Sequence, residues 1–125
     1  GTESVTGILI LAHGSRQKDT EQTLKVLVDK VQNLTGAANI ETAFLQFSDN
    51  LLPAGLDRLV NKGCSKIHII PYFLFNGVHI REDIPAELAK YRAEHPGIEL
   101  YLGETLGADD RLAAILAERV QAALQ

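Results

Sequence analysis

Ile69-Ile-Pro-Tyr-Phe-Leu-Phe-Asn-Gly-Val-His-Ile-Arg-Glu-Asp-Ile-Pro85 begins as an apolar run and ends as a polar turn that leads into a helix. A strand that is buried on both faces reads as a continuous apolar run, and residues 67–75 have almost no polar interruption. We therefore expect a central strand in a sheet that helices cover. Ligands of open α/β sheets bind beyond the carboxyl ends of the strands. The polar or turn residues expected at that edge are Asn76, Gly77, His79, Arg81 and Glu82.

Short apolar runs alternate with amphipathic segments in the rest of the chain, which predicts four strands, each followed by a helix. A helix between consecutive strands implies parallel strands with right-handed crossovers, because a tight turn cannot join parallel neighbours. The predicted fold is α/β, a doubly wound four-stranded parallel sheet in the flavodoxin-like order 2-1-3-4, with residues 1–125 forming a single domain. The strands are expected at residues 7–12, 40–47, 67–75 and 98–102.

Turn and capping residues set the expected bounds of the helices. Asp19 with Gln22 resembles a capping box at the start of the first helix. Residues 48–50 are expected to N-cap the second helix, and residues 83–85 to open the third. Residues 1–6 are expected to be a short frayed segment before the first strand.

Composition argues against several classes of protein. The formal charge of −4, the pI near 5.5 and the lack of a basic tract argue against a nucleic-acid binder, whose affinity rests on Lys and Arg that neutralise phosphates. The apolar runs are far shorter than the ~18 residues that a membrane-spanning helix needs. Cys64, the single cysteine, excludes an intramolecular disulfide and is expected to be a small buried filler, which favours a reducing compartment such as the cytoplasm.

His13 follows the first strand and His79 follows the third. In the order 2-1-3-4 the helices after these two strands leave toward opposite faces, and a crevice opens between the two carboxyl ends. The topology therefore predicts that His13 and His79 face each other. Two neutral imidazoles can hold a divalent metal while leaving coordination positions open. On spacing alone, either histidine could also be a turn residue with a satisfied hydrogen bond, and His68 and His95 are interpreted as structural.

Aromatic and charged residues accompany this histidine pair. Four phenylalanines at the predicted exits of strands two and three either cap the core or form the flat apolar wall of a binding site. Arg16, Lys18 and Arg81 lie at the same end and would give a positive rim. Glu82 lies three residues after His79, so on a helix its carboxylate could orient the imidazole or accept a proton. The four phenylalanines are Phe44, Phe47, Phe73 and Phe75.

Three segments carry a family resemblance, and it covers essentially the whole chain. Ile8-Leu-Ile-Leu-Ala-His-Gly-Ser-Arg16, Pro71-Tyr-Phe-Leu-Phe-Asn-Gly-Val-His-Ile-Arg-Glu-Asp-Ile-Pro85 and Gly103-Glu-Thr-Leu-Gly107 closely resemble the CbiX/SirB family of class II tetrapyrrole chelatases. The resemblance implies an enzyme that inserts Co²⁺, the first choice, or Fe²⁺ or Ni²⁺ into sirohydrochlorin during cobalamin or siroheme biosynthesis. The metal is then a substrate, and no organic cofactor is expected.

The resemblance also implies roles for particular residues. The paired functional histidines of the family correspond to His13 and His79, which would hold the metal and act in catalysis, and we add Glu82 as a proton acceptor. Gln46 stands where family members often have a glutamate, so this chain lacks a third, anionic metal contact at that position. The residues expected to contact the tetrapyrrole are Arg16, Phe44, Gln46, Phe73, Phe75, Asn76, Gly77 and Arg81.

Family members of about twice this length look like two fused copies of the domain. This implies that the chain is one chelatase-like half that forms an isologous homodimer, with Phe73, Phe75 and Val78 near the contact. Two other interpretations stay open. A tetrapyrrole or metal carrier would use the same pocket without turnover, and a histidine phosphatase-like enzyme would need Arg immediately before the histidine, where this chain has Ala12.

Overall fold

The structure, a computed structural model, describes residues 5–75, 77–78 and 82–125 and contains one sheet of four parallel strands in the order β2-β1-β3-β4. This confirms the predicted α/β class and strand order. The elements are β1 (Val5–Ala12), α1 (Asp19–Thr35), β2 (Ile40–Phe44), α2 (Leu52–Asn61), β3 (Cys64–Pro71), α3 (Ile84–Glu94), β4 (Glu99–Leu102) and α4 (Asp110–Leu124). In the described part of the chain, no helix combines the length and the apolarity needed to cross a membrane.

The face of the sheet under α2 and α3 carries the larger core. Side chains from all four strands meet the inner faces of both helices there. The Tyr91 hydroxyl donates a hydrogen bond of 2.7 Å to Asp57, which joins α3 to α2. We call this side the closed face. Its fully buried side chains include Leu9, Leu11, Leu56, Leu59, Ile67, Ile69, Ile84 and Leu88.

Within residues 5–75, 77–78 and 82–125, the opposite face is covered over only half its width. α1 packs on β1 and β2 through a small cluster of Ile10, Ala12, Leu24 and Phe44. β3 alternates between buried and more exposed positions, so the prediction of a strand buried on both faces is wrong. Its closed-face residues are buried, but on the other side α1 does not reach it and no residue of α4 is buried.

Two of the predicted strands, β2 and β3, are too long at their carboxyl ends. Two strands also start earlier than expected, and one of them is β3, which begins at Cys64. β2 ends at Phe44 instead of Phe47, which has a φ of 57°. β3 ends at Pro71 instead of Phe75, because the chain beyond it pairs with the loop after β4: the Leu106 and Gly107 amides donate to the carbonyls of residues 73 and 74. β1 includes residues 5 and 6, which were expected to be frayed.

The first two helices begin differently from prediction. α1 has Lys18 at its N-cap without a side-chain hydrogen bond, so the capping box is wrong. α2 has Leu51 at its N-cap, and Ser48 instead accepts a hydrogen bond from the Asn50 amide within the preceding loop. α3 begins as predicted, with Asp83 at the N-cap and a proline in the first turn.

Cys64 is buried in the closed face, as expected of a filler. Burial raises the pKa of its thiol, and the nearby charge of Lys62 opposes this only in part. A buried thiol with a raised pKa stays protonated and is a poor nucleophile.

Candidate active site

His13 lies directly after β1, at the carboxyl edge of the sheet. Its ring packs edge-on against Phe73, with ring centroids 4.6 Å apart and planes at 80°. Phe73 is buried, and its backbone carbonyl accepts a hydrogen bond of 2.9 Å from the Leu106 amide. The Tyr72 amide donates to Leu11 at 2.7 Å, so the exits of β1 and β3 are joined. A buried ring with a fixed backbone thus supports the exposed imidazole.

Gly14 brings the exit of β2 against the exit of β1. It has a φ of 89°, a conformation that side chains rarely adopt, and a Cβ at this position would lie 2.0 Å from the Gln46 carbonyl oxygen. The Leu45 amide also donates to the Ala12 carbonyl at 3.0 Å. Gly14 therefore allows the close approach that places Gln46 next to His13.

A cavity of about 410 Å³ opens on the closed-face side of His13. We call it the acidic cleft, because two carboxylates from the start of α3 lie across it from the imidazole. An imidazole, an amide and carboxylates are all groups that ligate divalent metals or accept protons. Its lining residues are His13, Leu45, Gln46, Asp83, Ala86 and Glu87.

A second cavity, of about 390 Å³, lies on the opposite side of the same strand exit. His13 therefore borders two cavities, one on each face of the sheet. The second cavity is lined by the start of α1 and by Tyr72, and it offers hydroxyl and apolar groups beside Asp19. Its lining residues are Ala12, His13, Gly14, Asp19, Thr20, Thr23, Leu24, Leu27 and Tyr72.

Neither of the two interpretations of the phenylalanines holds for all four, because two are buried and two are exposed, and they do not form one continuous wall. Phe44 is 2% exposed and lies under α1, away from the acidic cleft. Phe73 is buried beneath His13, whereas Phe75 is 80% exposed at the rim. Phe47 is exposed, and the Arg16 guanidinium lies 4.8 Å above its ring. The apolar surface at this edge is therefore divided between a buried support and separate exposed rings.

Two of the predicted site residues after β3 line neither cavity. Gly77 and Glu82 are exposed, and neither lines the acidic cleft or the second cavity. Asn76, His79 and Arg81 lie outside the described residues. Within the described residues, no three His, Cys, Asp or Glu side chains are close enough together to hold a metal ion. The described part of the site is thus one histidine with facing polar groups.

The other two histidines have the packing contacts expected of structural residues. His95 stacks on Tyr91 with centroids 4.0 Å apart, and its Nδ1 lies 3.1 Å from the carbonyl oxygen of the same residue. His68 stacks on Tyr101 at 5.2 Å. Neither residue lines the acidic cleft.

Sequence reasoning missed Asp83 and Glu87 as members of the site. Asp83 was noticed only as a helix start. The signal was present, because carboxylates four residues apart lie on the same face of a helix. Glu87 lies in the first turn of α3, and it lines the acidic cleft together with Asp83 and His13.

Comparisons with known proteins identify the family of this chain. The CbiX family model matches residues 7–123. The chain belongs to the CbiX family. A sirohydrochlorin ferrochelatase of Priestia megaterium is 28% identical over 90% of this chain and 42% of its own length. A sirohydrochlorin cobaltochelatase of Sulfurisphaera tokodaii is 26% identical over 95% of this chain and 94% of its own.

Solved structures of the CbiX family share the fold. The sirohydrochlorin chelatase SirB from Bacillus subtilis subspecies spizizenii, in complex with cobalt, superposes with a TM-score of 0.86 at 26% identity over 94% of this chain and 50% of that one. A CbiX protein from Marinobacter aquaeolei gives a TM-score of 0.78 at 27% identity over 96% and 98%. The chain spans about half the length of the first curated relatives it matches, whereas other relatives have its own length.

Proposed function

We propose that this chain is a chelatase that inserts a divalent metal into sirohydrochlorin. Membership of the CbiX family supports the reaction class, and the acidic cleft beside His13 supports its location. Co²⁺ is our first choice of metal, with Fe²⁺ and Ni²⁺ as alternatives. The relatives include both cobaltochelatases and ferrochelatases at 23–29% identity, so their names do not select one metal.

The proposed chemistry replaces two pyrrolic N–H protons of the macrocycle with one divalent cation, without redox change and without an organic cofactor. His13, held by Phe73, would deliver the metal together with His79. Asp83 and Glu87 lie across the cleft from His13 and are suited to accept the two released protons. We include Glu82 as a nearby carboxylate from the same segment. The tetrapyrrole itself would lie at the carboxyl edge of the sheet, near Gln46, the exposed ring of Phe75, and Asn76, Gly77, Arg16 and Arg81.

The test is anaerobic metallation of sirohydrochlorin, followed by absorbance, with Co²⁺, Fe²⁺ and Ni²⁺ in parallel. His13→Ala should lower the rate by roughly 10²–10⁴-fold, the usual contribution of one acid–base group. His95→Gln is the matched control and should stay within a few-fold, because His95 packs on Tyr91 away from the cleft. Unchanged turnover in His13→Ala would contradict the site.

A tetrapyrrole or metal carrier is the alternative that the same experiment detects. A carrier would bind sirohydrochlorin in a fixed ratio but would not speed metallation above the uncatalysed rate. Asp83→Asn and Glu87→Gln separate the two functions, because loss of a proton acceptor slows turnover more than it weakens binding. A metallation rate equal to the protein-free rate for all three metals would contradict the chelatase.

We also propose a homodimer in the cytoplasm, acting in cobalamin or siroheme biosynthesis. A ligand pocket usually buries most of its ligand, and a cavity of about 410 Å³ at one edge of one sheet is small for a tetrapyrrole. A second copy facing this edge would supply the missing wall. The single buried thiol, Cys64, suits a reducing compartment.

A further inference from the structure

Arg16 and Phe47 form an exposed pair beside the acidic cleft, and the metal chemistry does not use it. The Arg16 guanidinium lies 4.8 Å above the centre of the Phe47 ring, and that residue is 52% exposed. Arg16 follows His13 by three residues, and Phe47 follows Gln46 directly. Since His13 and Gln46 both line the acidic cleft, the pair extends from its wall to the surrounding surface. We call Arg16 and Phe47 the rim pair.

The backbone of Phe47 has a conformation that large side chains rarely adopt. Its φ is 57°, and among the residues that the structure describes it is the one residue other than glycine with a positive φ. A strained backbone of this kind costs free energy and persists only where the surrounding structure fixes it, which is often at binding sites. The position of the Phe47 ring is therefore imposed by its surroundings.

Hydrogen bonds close the loop after β2 and tie it to α1. The Phe44 amide donates to the Asn50 carbonyl at 2.8 Å, which joins the two ends of the loop. The Ser48 hydroxyl donates to the Glu21 carboxylate at 2.6 Å and accepts from the Asn50 amide at 2.9 Å. Phe47 thus lies in a closed loop, next to a residue that is anchored on a helix.

α2 supports the same loop from its other side. The Arg58 guanidinium donates to the side-chain oxygen of Asn50 at 2.6 Å and to the Thr42 carbonyl at 2.9 Å. The side-chain amide of Asn50 also donates to that carbonyl, at 2.8 Å. The loop is therefore bonded to β2, α1 and α2, and these contacts hold the ring of Phe47 at the rim.

The Arg16 guanidinium has its hydrogen-bond donors available for a ligand. Among the residues that the structure describes, Arg58 and Arg111 form ion pairs with carboxylates, whereas Arg16 forms none. The face of an aromatic ring attracts a cation without taking up its N–H groups. A guanidinium supported in this way can offer two parallel N–H donors to a carboxylate.

We propose that Phe47 is a positioning residue, which holds Arg16 so that its guanidinium binds a carboxylate side chain of the tetrapyrrole. Three residues span at most about 11 Å, so Arg16 lies within that distance of His13 along the chain. A macrocycle centred near His13 extends its acid side chains over a similar distance. The inference rests on the proposed function and adds the substrate group that is recognised and the residue that positions the recognising cation.

The charge of the protein makes such a cation necessary. The formal net charge is −4, and a macrocycle that carries several carboxylates has the same sign, so their long-range interaction is repulsive. Attraction then depends on cations near the bound ligand. An arginine already held over a ring loses less side-chain freedom on binding than an unsupported one, which favours affinity.

Equilibrium dialysis of metal-free sirohydrochlorin tests the rim pair without turnover. Arg16→Gln should raise the Kd about 10-fold, because a charge-assisted hydrogen bond is lost. Phe47→Leu should raise it about 2–5-fold, because the cation loses its ring. Phe47→Tyr keeps the ring and should bind like the native chain. Lys25→Gln removes the same charge as Arg16→Gln from an exposed position on α1, and should change the Kd less than 2-fold.

A double variant separates positioning from a structural role. Phe47→Leu added to Arg16→Gln should cause no further loss of affinity, because the ring acts only through the arginine. A ring that merely stabilises the loop would weaken binding equally with and without Arg16. Equal losses in the two backgrounds, native affinity in Phe47→Leu, or a loss in Lys25→Gln as large as in Arg16→Gln would each overturn the inference.

This inference and the proposed function fail in different ways. A chain that metallates sirohydrochlorin but binds it equally well without Arg16 or the Phe47 ring refutes the rim pair and leaves the chelatase intact. A chain that binds with the expected pattern but does not speed metallation refutes the chelatase and leaves the rim pair intact. A native chain that does not bind sirohydrochlorin refutes both.

Discussion

The closed face and the opposite side of the same strands differ in what covers them. Ile70, Tyr72 and Tyr101 are exposed on that opposite side, and we call them the bare half-face. On the closed face, α2 and α3 bury strand residues completely, as at Ile67 and Ile69. One residue further along β3, Ile70 points to the other side and is exposed. Because neighbouring residues of a strand alternate between faces, a single sequence run can contain both fully buried and exposed apolar residues. The difference places the buried core of the domain on one face and exposed apolar side chains on the other.

Truncation of a leucine on each face is the strongest way to test this difference. Leu59 of α2 is fully buried, so Leu59→Ala should lower the free energy of unfolding by about 2–5 kcal/mol, from lost burial and the cavity that remains. Leu116→Ala in α4 removes the same atoms from an exposed position and should change it by about 0.5 kcal/mol or less. Urea unfolding at a concentration where the chain is monomeric measures both. Equal losses would show that α4 is packed within its own chain.

The contact between the exits of β1 and β2, at Gly14, gives the next largest effect on the free energy of unfolding. Gly14→Ala adds a methyl group where the Gln46 carbonyl oxygen lies 2.0 Å from the ideal Cβ position, in addition to a positive φ, and should cost about 2–4 kcal/mol. Gly36 is the control, because it also has a positive φ but nothing lies within 4 Å of its added Cβ. Gly36→Ala should cost about 1 kcal/mol. If urea unfolding gives the same loss for both variants, the exits of β1 and β2 are not held in contact.

The smallest effect concerns an ion-pair group at the margin of the closed face. Burial tends to raise the pKa of Glu41, but hydrogen bonds and charges from Lys62 and Arg58 outweigh it and lower the pKa below the usual 4.5. The folded state therefore favours the carboxylate, and this contribution is present above about pH 4.5 and is lost as the pH falls through the lowered folded value. Both cations are partly exposed, so the contribution should be about 0.5–1 kcal/mol.

Unfolding between pH 6 and pH 3 measures this contribution. Glu41→Gln should be less stable than the native chain at pH 6, and the gap should close toward pH 3. Glu118→Gln, on the outward side of α4, is the control and should leave no gap at pH 6. A Glu41→Gln variant as stable as the native chain at pH 6 would mean that the ion pairs contribute nothing.

Much of the fold could be predicted because its signals are local. Alternating strand and helix patterns were sufficient for four parallel strands and for His13 at the carboxyl edge of the sheet. The order β2-β1-β3-β4 was taken from flavodoxin-like sheets, and the structure confirms it. The exit of β3 could not be predicted in the same way. Phe73, Leu74 and Phe75 look like a strand, but the carbonyls of Phe73 and Leu74 pair with the loop after β4, a contact between distant parts of the chain.

The candidate site also depends on contacts between distant parts of the chain, which the sequence alone does not predict. Gln46 was named from sequence, but its position against Gly14 depends on two strand exits that meet only in the fold. Asp83 and Glu87 become site residues because α3 starts next to the edge that carries His13. Phe44 was misplaced because a side chain at the end of β2 can point to either face, and here it points under α1.

The distribution of the tyrosines makes the two faces optically distinct. The chain has three tyrosines and no tryptophan, so tyrosine emission is not masked. Tyr72 and Tyr101 lie on the bare half-face, whereas Tyr91 is buried and hydrogen-bonded to a carboxylate on the closed face. Replacement of Tyr91 by Phe would leave two emitters on one face, and replacement of the other two would leave one emitter on the other. Native fluorescence can then follow assembly and unfolding as separate signals, without an added label.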